Sequence, residues 1–492
     1  MKLASITKGL SVTRSWIEGS VDITDLAYDS RQVKSGMLFF AIVGEKEDGH
    51  DYIHSAIDSG AIAIVVERWQ EGLPESIAQI QVDHTRVALS AASVVFFEDP
   101  SSKLSLIGVT GTNGKTTTSY LIEGIFRDLG QKTGLIGTLE YLINGKSFLS
   151  MRTTPESYDL QRILHSMVGE GIEVVVMEVS SHASIMGRID GCKFDAFIFT
   201  NLSQDHLDFH TDMDDYFQAK ARLFNESIFQ GAKHIVNIDD VFGKRLCDAS
   251  KNCIAFGFSK DADVRCTNVL SLQDGIKISI DRPYGELDIF TGLKGTLNSE
   301  NVLAAIATAY AFSVDIDVIK TAMSVARNVP GRFEEIEAGQ DFKVVVDYAH
   351  TPDGLKRVLE AAKNSLDGRL ITVFGCGGDR DRDKRPLMGK EVSKVSDISI
   401  VTSDNPRNED PEKIIEDILE GVEERSGLKV ISDRHQAIKV AIKEARNGDL
   451  VLIAGKGHET GQTFADRTIP FDDRLVALEI LKEAINDTSK SA

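Results

Sequence analysis

The sequence predicts an α/β protein of three domains built on parallel sheets. Three observations lead there. At 492 residues the chain is too long for one ordinary core, and its length suggests about three domains. Near-continuous Val/Ile runs alternate with helical stretches, the pattern of parallel strands covered on both faces. The apolar run Leu104–Val109 feeds a Gly-rich turn, Gly111-Thr-Asn-Gly-Lys-Thr-Thr117, and then an amphipathic stretch from Ser119 to Leu129. A strand, a Gly-rich turn and a helix start make an anion site, because backbone N–H groups and the helix dipole both favour phosphate there.

Composition narrows the function classes. A formal net charge of −20 argues against a nucleic-acid partner and against an anionic membrane surface. An anionic substrate therefore needs local basic clusters. The five cysteines (192, 247, 253, 266 and 376) are scattered, with no Cys-x-x-Cys pair. They predict a reducing, cytoplasmic setting without disulfides or structural zinc. Met1 to Gly19 has no continuous apolar stretch, and no run approaches a membrane span.

Residues 1–98 read as a small α/β domain: a strand at Met37–Val43, a helix at Tyr52–Ser59, a strand at Ala61–Glu67 and a helix at Ala88–Phe97. Asp29-Ser30-Arg31 precedes the first strand, and a charged loop, Glu45 to Asp51, follows it. Ser30 and Arg31 suit either an anionic group or an ordinary turn. Asp99-Pro100-Ser-Ser102 marks the first boundary.

Residues 99–332 read as a central parallel-sheet domain of the P-loop ATPase type. In the turn, Gly111, Thr112, Asn113, Gly114, Lys115, Thr116 and Thr117 form the phosphate loop. Lys115 reaches the β/γ-phosphates, and the Thr116 hydroxyl meets Mg²⁺. Val109 stands where the strict G-x₄-G-K-[ST] spacing has glycine, and Gly108 is one residue away. Further strands are expected at 132–136, 172–179, 196–200 and 234–238, and from 153 onward after Thr153-Thr154-Pro155. Ligands sit at the carboxyl ends of such strands. There stand Glu178-Val-Ser-Ser-His182 and Asn201-Leu-Ser-Gln-Asp-His206-Leu-Asp-Phe-His210. Glu178 is the best carboxylate for Mg²⁺, which prefers oxygen ligands. His206 is either a ligand or, like His210, a loop histidine. Phe217, Lys220 and Phe224 share one helical face. Lys220 either snorkels to solvent or is a depressed-pKa amine able to take up CO₂ as a carbamate, an extra oxygen ligand. Asn298, before the helix Val302–Phe312, suits adenine, and Arg332 at the domain end suits a nucleotide phosphate or base.

Residues 333–492 read as a C-terminal Rossmann-like α/β domain. Four strands, 343–347, 369–374, 397–402 and 449–454, each end in a polar loop. The first ends in Asp347-Tyr-Ala-His350, with Thr351 as N-cap and Pro352 at N1 of the next helix. If the strands are parallel, the loops meet at one sheet edge. There Arg380, Asp404, Asn405, Arg407 and Glu459 form a crevice of arginines and carboxylates suited to a zwitterionic amino acid. The alternative is four solvated turns. Asn486 to Ala492 is expected to fray.

Taken together, Gly111 to Thr117, Glu178 to His182, Asn201 to Asp208, Asp347-Tyr-Ala-His-Thr-Pro352 and Gly455-Lys-Gly-His-Glu459 resemble the Mur ligases across all three domains. These are ATP-dependent amino-acid ligases of peptidoglycan synthesis. The resemblance implies that ATP phosphorylates a substrate carboxylate and that an incoming amine attacks the acyl phosphate. The members it matches best add a diamino acid to the D-glutamate side-chain carboxylate of UDP-N-acetylmuramoyl-L-alanyl-D-glutamate.

The resemblance also implies site roles. Ser30, Thr153, Thr154, Ser180 and Arg188 fall on the UDP-sugar-peptide, and Asn298 and Arg332 near the adenine nucleotide. Mg²⁺, as two ions, is held by Thr116, Glu178, His206 and a carbamylated Lys220. Lys115, Lys220, Glu178 and His206 form the catalytic set, and Arg380, Asp404, Asn405, Pro406, Arg407, Gly455 and Glu459 form the amino-acid site. One departure stands out, Met186 where the family often has glutamine. An arginine at 407 accompanies members that add meso-2,6-diaminopimelate, whose second carboxylate it can pair; facing L-lysine it would be an unpaired buried charge. A monomer working on small-molecule substrates in the cytoplasm is expected. The rival readings are the L-lysine-adding version of the same ligase, a folylpolyglutamate synthase-like ligase, and a non-enzymatic P-loop nucleotide switch.

Overall fold

The computed structural model describes residues 1–44 and 47–491 and divides the chain into two compact units. Glu45 and Lys46 of the charged loop lie outside the described residues, as does Ala492.

The first unit comprises Met1–Thr110, Gly130–Phe197 and Ala219–Lys233. Its N-terminal part is a five-stranded sheet. The strands run in the order Val12–Trp16, Ala78–Val82, Ala61–Val66, Met37–Phe40 and Leu26–Ala27; only the first pairs antiparallel. Strand Ala61–Val66 is apolar at every position because both faces are covered. Leu38, Phe40, Ala63 and Val65 pack into one core, and Phe39, Ala41, Ile64 and Val66 into the other. The unit also holds strands Ser105–Thr110, Val174–Glu178 and Thr133–Ile136, joined in parallel. Two strands, Glu140–Ile143 and Lys146–Leu149, extend them as an antiparallel hairpin.

The second unit comprises Gly111–Leu129, Ile198–Gln218 and His234–Ala492. Here Lys233–Asn237, Cys253–Gly257 and Val264–Leu272 pair in parallel, and Gly275–Arg282 and Leu287–Thr291 continue as an antiparallel meander. The C-terminal part is a six-stranded sheet in the order Glu334–Glu335, Lys343–Asp347, Leu450–Ala454, Leu370–Phe374, Ile398–Val401 and Leu428–Val430. All its pairings are parallel except the first. Helix Pro352–Lys363 starts as its sequence demands: the Thr351 hydroxyl accepts from Gly354 N at 3.1 Å, and Pro352 fills N1.

Several expectations are corrected. No strand starts at 153; Thr153-Thr154-Pro155 is an extended approach to helix Ser157–Gly169, because Pro155 keeps the residue before it, Thr154, out of the helical region. The phosphate-loop helix begins at Lys115, four residues before the expected start, since Gly114 at φ +85° supplies the break. The antiparallel hairpins escaped a reading that expected parallel strands only. Cys247 and Cys253 form a disulfide, against the expectation of none: the end of helix Val241–Ala249 and the start of strand Cys253–Gly257 bring their Cα atoms to 5.3 Å. The tail expected to fray from Asn486 is helical as far as Ser491, the end of helix Asp473–Ser491.

Candidate active site

In the second unit the phosphate loop is built by mutual backbone and side-chain locking. Gly111 sits at φ +145°, and a Cβ there would strike the Thr200 hydroxyl; at Gly114 it would strike Asn301 Oδ1. Only glycine fits either position. Asn113 N donates to Asn201 Oδ1 (2.9 Å), and the Thr200 hydroxyl donates to Asn113 O (2.7 Å). The segment Thr200–Ser203 thus templates the loop. Lys115 Nζ folds onto the Gly111 and Thr112 carbonyls at 3.0 and 2.9 Å. That pose fixes the cation at the mouth of a helix N-terminus, where an incoming phosphate would compete for it.

Residues from the C-terminal part close on this loop. Arg332 Nη2 donates to the Thr116 hydroxyl at 3.2 Å, and its guanidinium lies 4.3 Å from the centroid of the Tyr348 ring. Asn113 Nδ2 donates to Asp353 at 3.2 Å. Asn298 is buried and donates to the Lys294 carbonyl, while its oxygen accepts from Asn301, which in turn accepts from the Thr118 hydroxyl. Asp347 accepts from Phe333 N and Ala349 N, both at 2.7 Å, and burial raises its pKa.

His206 sits at φ +57°, with Nε2 3.3 Å from the Asp205 carboxylate. Asp205 is buried among His206, Lys384 (3.5 Å) and His350 (3.8 Å). Burial alone would raise the Asp205 pKa, but those three neighbours hold it below the usual carboxylate range. His350 is pushed down to about 4 by burial and by the Lys384 charge. His210 is buried beside Asp215.

The four polar loops do share one sheet edge, because strands 343–347, 450–454, 370–374 and 398–401 are parallel neighbours. Asn405 Nδ2 donates to Glu459 at 2.7 Å. Pro406 precedes Arg407, which adopts φ +51°; its backbone N donates to Thr463 O at 3.0 Å, and Nη1 to Gly378 O at 2.7 Å. Burial lowers the Arg407 pKa, and the Arg380 charge adds to the effect. Arg380 itself is exposed and donates to Asp379 O. A Cβ on Gly455 would come within 2.6 Å of Asp404 Oδ2. Burial works to raise the Asp404 pKa, but Lys456 and Arg434 hold it low.

Three residues of this crevice escaped the sequence reading. Lys456 is fully buried and donates to Asn405 Oδ1 (3.0 Å), Glu459 (2.9 Å) and Gly461 O (2.7 Å). Arg434, also buried, pairs with Asp473 and donates to the Ser403 and Ala454 carbonyls, pinning two of the loops. Gln462 donates to Asp404 O at 2.7 Å. Lys456 was legible as the only lysine inside the Gly455–Glu459 motif. Arg434 and Gln462 carry no local signal.

In the first unit Glu178 is buried. Its carboxylate accepts from Thr138 N (2.9 Å) and the Thr138 hydroxyl (3.0 Å), which also meets the Thr153 hydroxyl (3.0 Å). The Thr154 hydroxyl donates to Glu178 O at 2.8 Å and accepts from Ser180 N at 3.1 Å. Ser180 caps the short helix Ser181–Ile185. Arg188 Nη1 donates to Thr154 O at 3.2 Å. Thr153, Thr154, Glu178, Ser180 and Arg188 therefore form one cluster. Ser30 opens a 3₁₀ turn in which Arg31 is tied to Asp29 by two 2.9 Å contacts, so Arg31 belongs to the turn. Lys220 is 1% exposed, which removes the snorkelling alternative.

The donor chemistry fits Mg²⁺. Among the described residues no three His, Cys, Asp or Glu side chains gather into a metal site. The Thr116 hydroxyl and the buried Glu178 carboxylate are oxygen donors of the kind such an ion takes beside phosphate and water.

Residues 22–97 match the catalytic domain of the Mur ligase family, 109–309 the Mur ligase middle domain, and 331–457 the glutamate ligase domain. The chain is 45% identical over 465 residues to the UDP-N-acetylmuramoyl-L-alanyl-D-glutamate–2,6-diaminopimelate ligase of Solibacter usitatus, covering 94% of each chain. It is 43% identical to the ligase of the same name from Alkaliphilus metalliredigens, covering 99% of each. A solved structure of a ligase of that name superposes with a TM-score of 0.68 at 30% identity, over 98% of this chain and 99% of the other.

Proposed function

Because the chain belongs to the Mur ligase family, with its three-domain α/β architecture, we propose that it adds meso-2,6-diaminopimelate to UDP-N-acetylmuramoyl-L-alanyl-D-glutamate. It is an ATP-dependent amide ligase of peptidoglycan synthesis. The observation that carries the choice of amino acid is Arg407, half-buried and fixed at both its backbone and its guanidinium in the crevice of Asp404, Asn405 and Glu459.

The reaction joins a carboxylate to an amine. ATP transfers its γ-phosphoryl group to the D-glutamate side-chain carboxylate, giving an acyl phosphate and ADP. The amine of diaminopimelate attacks the acyl carbon, loses a proton, and phosphate leaves as the amide forms. Residues 111–117 hold the ATP phosphates through backbone N–H groups and Lys115, whose charge offsets that developing on the transferring phosphoryl group. Arg332 reaches the same phosphates from beside Thr116, and Asn298 faces the nucleotide base. Glu459 accepts from the ammonium of the amino acid, and Arg407 and Arg380 pair its carboxylates. Thr153, Thr154, Ser180, Arg188 and Ser30 hold the UDP-sugar-peptide. Thr116, Glu178, His206 and a carbamylated Lys220 would hold Mg²⁺, which neutralises phosphate charge.

The boundaries 98/99 and 332/333, a monomeric state and a cytoplasmic location belong to the same proposal. No helix among the described residues is long and apolar enough to cross a membrane.

A product assay tests the reading. Protein with ATP, Mg²⁺, the UDP-sugar-dipeptide and either meso-diaminopimelate or L-lysine is expected to give a tripeptide product by mass spectrometry with diaminopimelate only. Product with lysine alone overturns the role of Arg407. No product with either, from folded and ATP-binding protein, overturns this reading and leaves first the folylpolyglutamate synthase-like ligase and then the nucleotide switch.

A further inference from the structure

The phosphate loop takes its path from the segment Thr200–Ser203. Thr112 N donates to Asn201 O and Asn113 N to Asn201 Oδ1, both at 2.9 Å. The Thr112 hydroxyl accepts from Ser203 N at 3.1 Å, and Asn113 Nδ2 donates to the Ser203 hydroxyl at 3.3 Å. Asn201 and Ser203, on either side of Leu202, thus carry the loop between them. Whatever fixes Leu202 fixes the loop.

Leu202 is fixed by one carboxylate that faces two ways. Its N–H donates to Asp240 Oδ2 at 3.0 Å. The other oxygen, Oδ1, accepts from Phe242 N at 2.9 Å and from Gly243 N at 3.1 Å, and so caps helix Val241–Ala249. A helix cap needs one acceptor oxygen, and Asn or Ser supplies it about as well as Asp. The cap therefore accounts for one oxygen of Asp240, and Leu202 for the other.

The mount behind Asp240 is close-packed. A Cβ on Gly243 would lie 1.9 Å from Asn237 O, so the helix start lies directly on the end of strand Lys233–Asn237. Asn237 is buried, and its Nδ2 donates to Thr200 O at 2.9 Å. The segment is held at Thr200 by Asn237 and at Leu202 by Asp240. Neither residue belongs to the loop or to any group assigned to a substrate.

We propose that Asp240 is a positioning residue for the nucleotide: its second oxygen, through Leu202 N, holds Asn201 and Ser203 where they set the path of the phosphate loop, and Asn237 braces the same segment at Thr200. This rests on the reading of residues 111–117 as the ATP site. Such a loop binds phosphate through backbone N–H groups aimed at fixed points, so a small displacement of the loop weakens nucleotide binding and leaves the other substrates alone.

The test separates the two oxygens. Asp240→Asn keeps one oxygen for the two helix donors and turns its amide NH2, itself a donor, toward Leu202 N. Asp240→Ser caps the helix with a side chain too short to reach Leu202 as well. Asp240→Ala removes both contacts. Calorimetric binding of Mg·ADP, the KM of each substrate and the urea midpoint are read for the wild type and the three variants. Asp240→Asn and Asp240→Ser are expected to keep the urea midpoint of the wild type and to raise the Kd for Mg·ADP and the KM for ATP by about three- to tenfold. The KM values for the UDP-sugar-dipeptide and for diaminopimelate are expected to stay unchanged. Asp240→Ala is expected to lose the same binding and to unfold at lower urea. Wild-type affinity for Mg·ADP in Asp240→Asn and Asp240→Ser reduces Asp240 to a helix cap and overturns the proposal. Weaker nucleotide binding confined to variants whose urea midpoint falls, or an equal rise in all three KM values, overturns it too. A wild type without affinity for Mg·ADP overturns the brace together with the ATP site. A wild type that binds Mg·ADP yet forms no product counts against the ligase reading alone, because the binding comparison still decides the role of Asp240.

Discussion

The guanidinium of Arg332 lies between the Tyr348 ring and the Thr116 hydroxyl, 4.3 Å from the ring centroid and 3.2 Å from the oxygen. One side chain thereby couples the first turn of the phosphate-loop helix to the end of strand Lys343–Asp347 in the C-terminal sheet. Its Nε is buried without a hydrogen bond, which leaves a donor available to a nucleotide phosphate.

Arg332→Ala removes a charged hydrogen-bonding arm worth about 1.5–3 kcal/mol, so the KM for ATP is expected to rise roughly 10- to 100-fold. Steady-state kinetics at saturating peptide and amino acid check this. An unchanged KM for ATP would place Arg332 in a structural role only.

Arg407→Ala is expected to raise the KM for meso-diaminopimelate by about 2 kcal/mol or more, roughly 30-fold, because the distal carboxylate loses its partner. L-lysine, which lacks that carboxylate, is expected to lose nothing. Competition between the two amino acids, read by mass spectrometry, gives the change in preference directly.

Lys456→Met leaves Glu459 without its buried cation and Asn405 Oδ1 without one of its donors. Removing one partner of a buried pair costs about 3–5 kcal/mol. The variant is expected to unfold at lower urea and to bind the amino acid weakly, with the KM for ATP little changed if the fold persists. A variant as stable as wild type would show that Glu459 takes up solvent in place of the lysine.

His458 supplies a pH test. Burial and the charges of Arg332 and Arg474 push its pKa down to about 3, and its Nδ1 is buried without a partner. The unfolded chain binds this proton at the ordinary histidine value near 6.5, whereas the fold resists it. Between those values the unfolded state holds more protons, so stability is full above about 6.5 and falls as pH drops toward 3. His458→Asn is expected to flatten the decline in unfolding free energy between pH 7 and pH 5. An unaltered slope would move the cause to other groups, His350 first.

The phosphate loop was legible because its constraints are local: glycine at positive φ, a lysine and a helix start follow in one short stretch. The crevice at the C-terminal sheet edge was legible because parallel strands force their ends together, so four polar loops could be summed before any contact was seen. What stayed hidden depends on distant chain. Arg434 is an ordinary first-turn helix residue until Asp473, thirty-nine residues on, meets it inside the core. Asp240 likewise meets Leu202 from thirty-eight residues away. The hairpin Glu140–Leu149 was missed because its residues are only partly buried or exposed and lack the apolar run that marks an inner strand. The Cys247–Cys253 pair was missed because composition speaks of cell compartments, while a tight turn between helix and strand sets the distance.

Strand Leu450–Ala454 is inserted between Lys343–Asp347 and Leu370–Phe374, although it follows both by some eighty residues or more in the chain. During synthesis the two earlier strands leave the ribosome with facing edges unpaired and wait for their middle partner. The amino-acid crevice cannot assemble before residue 454 has emerged, and Arg434 waits further, for Asp473. A prematurely terminated chain would therefore carry a complete phosphate loop and no place for the amine, so the cell gains no ligase from a message cut short near its end.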